Sequence, residues 1–194
     1  MYDLGYMGTY SADRQPRLER LLLEPAWHWK RGRFIVVGPQ YPEVIQWPTN
    51  VERMDHLSPA AHRGFYNRQR FTLNITRAEM LQAGYAPSVR LFEAAACATP
   101  IISDYWQGLE TFFTLGEEIL LGRSPEETLH YLRGISEEER HAIGARAKSR
   151  VLSEHTATHR AEALEGYAFQ ALRRRGHAFR ACQTQHVQHH ARNA

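Results

Sequence analysis

The chain lacks most of the features that would place it at a glance. Its 194 residues include two cysteines, Cys97 and Cys182, far apart in sequence, which excludes a disulfide-stapled scaffold and makes a cytoplasmic setting the default. No apolar run approaches the roughly 18 residues of a membrane span. Met1-Tyr2-Asp3-Leu4 has no basic segment followed by an apolar core, so no leader is visible. GxxxxGK[ST] is absent, which argues against a P-loop ATPase. The first glycine loop is Gly5-Tyr6-Met7-Gly8 rather than GxGxxG. A dinucleotide enzyme would also want an acid where Gly38-Pro39-Gln40 ends the second predicted strand. Asp104 ends a strand as the phosphoacceptor of a receiver domain would, but the acidic cluster and downstream lysine of that class are missing. There is no internal repeat and no low-complexity core.

Acid is also absent from residues 173–194, which hold Arg173, Arg174, Arg175, Arg180 and Arg192. Setting those five aside from the 24 Lys+Arg leaves 19 basic residues against 21 acidic ones, so the body is slightly acidic and the formal charge of +3 belongs to the tail. A nucleic-acid binder concentrates positive charge on a folded face, and this chain does not. The tail reads as basic, His-rich and disordered, and its His186, His189 and His190 lack the order of a specific metal site.

What is present is an alternation of short apolar strands and helices. Strands are expected at Leu4–Thr9, Arg33–Val37, Val51–Asp55, Phe71–Ile75, Pro100–Ser103 and Glu118–Leu121. Helices are expected at Arg14–Lys30 (bent or ended by Pro25), Ser58–Gln69, Thr76–Gln82, Pro87–Cys97, Ser124–Arg133, Ser136–Ser153 and Thr156–Arg175. This order predicts an α/β fold: a Rossmann-like parallel sheet with helices on both faces and a helical C-terminal extension. The expected division is 1–172 for the folded domain and 173–194 for the tail.

Ligands on such folds bind outside the carboxyl ends of the strands. The polar candidates fall there: Gly8, Thr9 and Arg14 in and after the first loop, with Arg17 and Arg77 nearby, then His56, Ser88, Val89, Arg90 and Asp104. Pro87 reads as the first residue of a helix, leaving the amides of 87–90 free for an anion. Glu93 follows among apolar neighbours and needs a partner, either a ribose hydroxyl or a protein group.

These segments together resemble one family. DLGYMGTYSADRQPRLERLLLEPA, RFIVVGPQYP, WPTNVERMDHLSPAAHRGFYN, FTLNITRAEMLQAGYAPSVRLFEAAACATPIISDYWQGLETFF and SEEERHAIGARAKSRVLSEHTATHRAEALE look like the C-terminal, donor-binding domain of the CgeB-like (spore maturation protein) glycosyltransferases, of the family 1-like GT-B class. The resemblance implies that the ligand is a nucleotide diphosphate sugar, bound without a metal or other cofactor. It places Glu93 on the ribose, as the second of two glutamates separated by seven residues; Tyr85 occupies the position of the first. It places the amides of Ser88, Val89 and Arg90 on the diphosphate, with Arg14 beside them, and the His56-Leu57 segment at the base. Gly8 and Thr9 complete the donor-binding set.

The resemblance also implies that transfer needs a second, acceptor-binding domain. Met1 falls almost at the first strand, so that half is expected to be missing from this chain and to come from a separate domain or protein. The catalytic residues are therefore not identified. The alternative is a non-catalytic nucleotide-binding or protein-assembly module derived from a glycosyltransferase.

Overall fold

The computed structural model describes residues 1–190, with side chains through residue 174. The chain separates into two compact units, Met1–Leu152 and a second beginning at Ser153. The boundary expected at 172/173 lies within a helix of the second unit, α8 (Ala157–His190). The disordered tail expected over 173–194 falls chiefly on residues outside the described side chains, the three tail histidines included. No helix among the described residues is long and apolar enough to cross a membrane.

The first unit is built on a six-stranded sheet: β1 (Tyr2–Met7), β2 (Phe34–Val37), β3 (Val51–Met54), β4 (Gln69–Asn74), β5 (Ile101–Ser103) and β6 (Leu120–Leu121), in the order β3-β2-β1-β4-β5-β6. Every neighbouring pair is parallel. The order reverses between β1 and β4, and a crevice at the carboxyl ends is expected at such a reversal.

Alternating strand residues feed two cores, one on each sheet face. Leu4, Tyr6, Phe34, Val36, Phe71 and Leu73 pack on one face with Leu18, Leu21 and Leu22, and with Leu132 and Ile143. Ile35, Val37 and Ile101 pack on the other with Phe65, Leu91, Ala94 and Ala147. The period of two along a strand therefore explains why helices cover both faces.

The helix after β1 runs as α1 (Gln15–Leu18), a π turn (Glu19–Leu23) and α2 (Glu24–His28). Pro25 was expected to bend or end it. Instead the Glu24 amide reaches back to the Glu19 carbonyl, and this wider turn seats a residue that has no N–H to give. The remaining helices of this unit are α3 (His62–Asn67), α4 (Ala78–Ala83), α5 (Val89–Ala96), α6 (Pro125–Gly134) and α7 (Glu137–Glu154). β1 ends at Met7, so Gly8 and Thr9 leave the expected strand and become loop.

At the amino edge of the sheet the charges are paired. Arg70 lies 3.0 Å from Asp3 and 2.7 Å from Glu137, and Arg140 lies 2.8 Å from Glu137. This network ties β1, β4 and α7 together. α7 approaches the α5–β5 turn closely at Gly144, where a Cβ would lie 2.2 Å from the Ala98 carbonyl oxygen. Gly144→Ala is therefore expected to lower unfolding stability by about 1–3 kcal/mol through overpacking. Gly64→Ala in α3, where no atom lies within 4 Å of the added carbon, should raise it by roughly 0.5–1 kcal/mol. Urea denaturation of both variants checks the pair of opposite signs.

Candidate functional site

A cleft of about 260 Å³ opens at the carboxyl edge. Its walls come from the loop after β1 (Met7–Thr9), the turn after β2 (Val37–Pro39), the segment after β3 (Asp55–Leu57) and the start of α5 with Glu93. Of the residues expected from sequence, Gly8, Thr9, His56, Ser88, Val89, Arg90 and Glu93 meet here.

Two glycines make the junction possible. Gly38 has φ +145°, and a Cβ there would fall 2.1 Å from the Gly8 carbonyl oxygen. A Cβ on Gly8 would fall 2.6 Å from the Tyr6 hydroxyl. The two strand ends stay stitched because Gly8 N–H donates to Val37 O (2.8 Å) and Gly38 N–H to Met54 O (2.8 Å).

The start of α5 differs from expectation by two residues. Val89, not Pro87, is the first helical residue, and Ser88 is the N-cap: its backbone is extended and its hydroxyl accepts from the Arg90 amide (3.4 Å). That bond removes Arg90 N–H from the free set, and Leu91 N–H is taken by Ser88 O (3.1 Å). Among the described residues lining the cleft, the amides of Ser88 and Val89 are left without a hydrogen-bond partner, as are those of Thr9, Asp55, His56 and Leu57 across from them.

Glu93 faces the cleft and its side chain is 37 % exposed. Its Oε2 accepts from the Tyr66 hydroxyl (3.1 Å) and lies 3.8 Å from His62 Nδ1. Oε1 has no partner among the described residues. Glu93 is thus steadied on one oxygen and open on the other. Burial pushes the Tyr66 phenol well above its ordinary value, so it stays a donor. His62 lines the cleft and was missed from the sequence. Its signal was its i, i+4 spacing to Tyr66 on α3, which puts both on the face turned to α5.

Arg90 spans the reversal point of the sheet. Nε donates to Met7 O (2.8 Å), at the end of β1, and Nη1 to Asn74 Oδ1 (3.0 Å), at the end of β4. Asn74 in turn donates to the Ser103 hydroxyl (2.9 Å).

Arg14 does not line the cleft. It is 7 % exposed, Nη2 donates to Thr9 O (2.6 Å), and Nε is buried without a partner. Neither Arg14 nor Arg90 has a carboxylate at ion-pair distance among the described residues. Tyr85 also lies off the cleft. It is 58 % exposed, adopts φ +50° and rests its ring on Gly108, where a Cβ would come within 2.4 Å.

Asp104 proves to be structural. It is buried, both carboxylate oxygens accept from the Thr76 amide (3.1 and 3.0 Å), Oδ1 accepts from the Thr76 hydroxyl (2.8 Å), and Arg17 stands 3.9 Å away.

With this geometry in view, the affinities of the chain are as follows. The family described as glycosyl transferase-like matches residues 14–166, and the chain belongs to it. No curated protein matches the sequence. Among solved structures, the Anabaena Alr3699/HepE complex with UDP-glucose is similar at TM-score 0.66 and 11 % identity, covering 85 % of this chain and 48 % of that one. The T4 phage BGT complex with its UDP-glucose substrate is similar at TM-score 0.68 and 12 % identity, covering 88 % and 48 %. The C-terminal domain of a group 1 glycosyl transferase (LpcC) from Francisella tularensis is similar at TM-score 0.62 and 12 % identity, covering 80 % and 87 %. The fold is that of GT-B glycosyltransferases. The chain spans about half the length of the first two and most of the third, which is itself a single domain.

The burial of Asp104 has a titration consequence. Desolvation raises its carboxyl above the ordinary 3.8, outweighing the Thr76 hydrogen bonds. The folded state therefore holds this proton more tightly than the unfolded chain. The contribution of Asp104 is most favourable below 3.8 and declines as pH rises from there through the raised native value. Asp104→Asn abolishes the titration. The urea midpoint of the variant, measured relative to wild type across this window, should move upward as pH rises.

Proposed function

We propose that the cleft binds a nucleotide diphosphate sugar and that the chain is the donor-binding domain of a glycosyltransferase. The observation that carries this reading is the pairing of unmatched groups within one cleft. Free amides at Thr9, Ser88 and Val89 and the Arg90 guanidinium, with Arg14 buried behind the loop and neither arginine at ion-pair distance from an acid among the described residues, call for an anion. A carboxylate with one open oxygen calls for hydroxyl donors. A diphosphate joined to a ribose supplies both. The α5 N-terminus would hold the diphosphate, Glu93 Oε1 the ribose hydroxyls, and the His56-Leu57 segment the base.

In glycosyl transfer the bond between the anomeric carbon and the diphosphate oxygen breaks, and the acceptor oxygen forms the new bond. Charge grows on the departing diphosphate, and preorganised amides and guanidiniums at that point lower the barrier without a cofactor. Arg14 would contribute through its buried charge. Tyr85 would meet the sugar only at the outer rim. Complex structures of the similar proteins hold UDP-glucose, which supports the donor class. The acceptor would be presented by a second domain or protein. We assign the chain to the CgeB-like branch on the segments quoted above, and to the cytoplasm.

Glu93→Ala is expected to weaken binding of the preferred nucleoside diphosphate by about 1–3 kcal/mol, the range for losing a charged hydrogen-bond partner. Calorimetry of wild type and variant with UDP, GDP and ADP reads this directly. Equal affinities would remove Glu93 from the site, and no binding of any nucleotide by wild type would end the donor reading.

A further inference from the structure

The carbonyl groups of the two loop tips that floor the cleft are all engaged. Met7 O accepts from Arg90 Nε (2.8 Å), Gly8 O from the Tyr41 hydroxyl (3.0 Å) and Thr9 O from Arg14 Nη2 (2.6 Å). On the facing loop, Val37 O accepts from Gly8 N–H (2.8 Å), Gly38 O from Arg53 Nη2 (3.0 Å) and Pro39 O from Tyr10 N–H (3.0 Å). A floor of backbone ordinarily offers acceptors and donors in equal number, and carbonyl oxygens repel anions. Here the acceptors are occupied, while the Thr9 amide remains open.

Two of the donors, Tyr41 and Arg53, do not line the cleft. Neither is held casually. The Arg53 guanidinium also donates to Val36 O (2.7 Å), and its central carbon lies 4.2 Å from the Tyr41 ring centre and 4.5 Å from that of Trp47. Tyr41 meets Trp47 edge-on at 5.4 Å and Tyr10 at 5.7 Å. The loop 39–50 and β3 therefore act together as a support for the glycine tips, with Tyr41 from the loop and Arg53 from the strand reaching carbonyls. Cation–π contacts and the guanidinium fork fix those ends in direction. A loop support needing only bulk would be met by apolar side chains.

We propose that Tyr41 and Arg53 are positioning residues that draw the Gly8 and Gly38 carbonyls off the cleft and so make its floor receptive to a diphosphate. This rests on the donor-binding reading for the nucleoside part of the ligand, but its own content is the phosphate specificity of the floor. Tyr41→Phe keeps the ring contacts and frees the Gly8 carbonyl. Arg53→Met frees the Gly38 carbonyl, removes the charge and also releases Asp55, 3.6 Å from the guanidinium, so Tyr41→Phe is the variant that isolates a carbonyl. Arg53→Lys keeps the charge but cannot span two carbonyls.

The test is calorimetry of the full chain with inorganic pyrophosphate, UDP, GDP, uridine and guanosine, with urea midpoints to verify folding. Tyr41→Phe should raise Kd for pyrophosphate and for the preferred nucleoside diphosphate by roughly 3–10-fold, the factor one hydrogen bond contributes. Arg53→Met should do so by at least as much, with Arg53→Lys between it and wild type. The Kd of the matching nucleoside should stay within about twofold. A merely structural role would weaken nucleoside and diphosphate alike, and that result overturns the proposal. So do unchanged pyrophosphate affinities in folded Tyr41→Phe. Wild type that binds pyrophosphate but no nucleotide would defeat the donor reading and leave this inference to the variants. Wild type that binds neither would end both.

Discussion

The site depends on the contact between the backbone after β1 and the backbone after β2. Gly38 and Gly8 allow the two tips to touch, and any side chain at Gly38 would collide with main-chain atoms that no rotamer change can move. Close approach has an electrostatic consequence. It crowds carbonyl dipoles at the floor of the crevice, and crowded dipoles need donors. Arg14, Arg53, Arg90 and the Tyr41 hydroxyl meet that need from beneath and from α5. The guanidiniums gathered around the loop tips are thus the outcome of packing two loops tightly and then satisfying them.

The two edges of the same sheet are treated oppositely. At the amino edge Arg70 and Arg140 share the carboxylates of Asp3 and Glu137. At the carboxyl edge Arg53 pairs with Asp55 (3.6 Å) and Arg17 approaches Asp104 (3.9 Å), but Arg14 and Arg90 bind neutral oxygens, and Glu93 meets a phenol and an imidazole on one oxygen. Charges at the first edge serve cohesion. Arg14, Arg90 and Glu93 at the second are left with capacity to spare, which is the arrangement expected of a binding edge rather than a structural one.

Much of this was legible in the order of residues. Strand-sized apolar runs separated by helical spacing gave the parallel sheet, and the sheet alone brought Gly8, His56, Ser88 and Glu93 to one rim. Local chemistry misplaced the α5 start, because Ser88 followed by two amide-bearing residues outcompetes Pro87 as the point of entry. Pro25 failed to end its helix because a π turn, which leaves no clear sequence signature, absorbed it. Arg14 was read as facing the ligand, yet its guanidinium turns inward to a loop carbonyl. Nothing in the sequence pointed to the carbonyl-binding roles of Tyr41 and Arg53. Their partners lie 33 and 15 residues away, and such pairings exist only once the loop has folded.

The inward turn of Arg14 reaches beyond the crevice. A guanidinium shut away from water, with one nitrogen unbonded and no acid at ion-pair distance among the described residues, leaves the interior electrically unfinished. The folding equilibrium of such a domain is tied to the electrolyte around it, since any small multivalent oxyanion that lodges at the rim completes the balance in the native state alone. Sulfate or phosphate in a buffer would then act on this protein as a ligand, and heat resistance would vary with the identity of the salt as well as its strength.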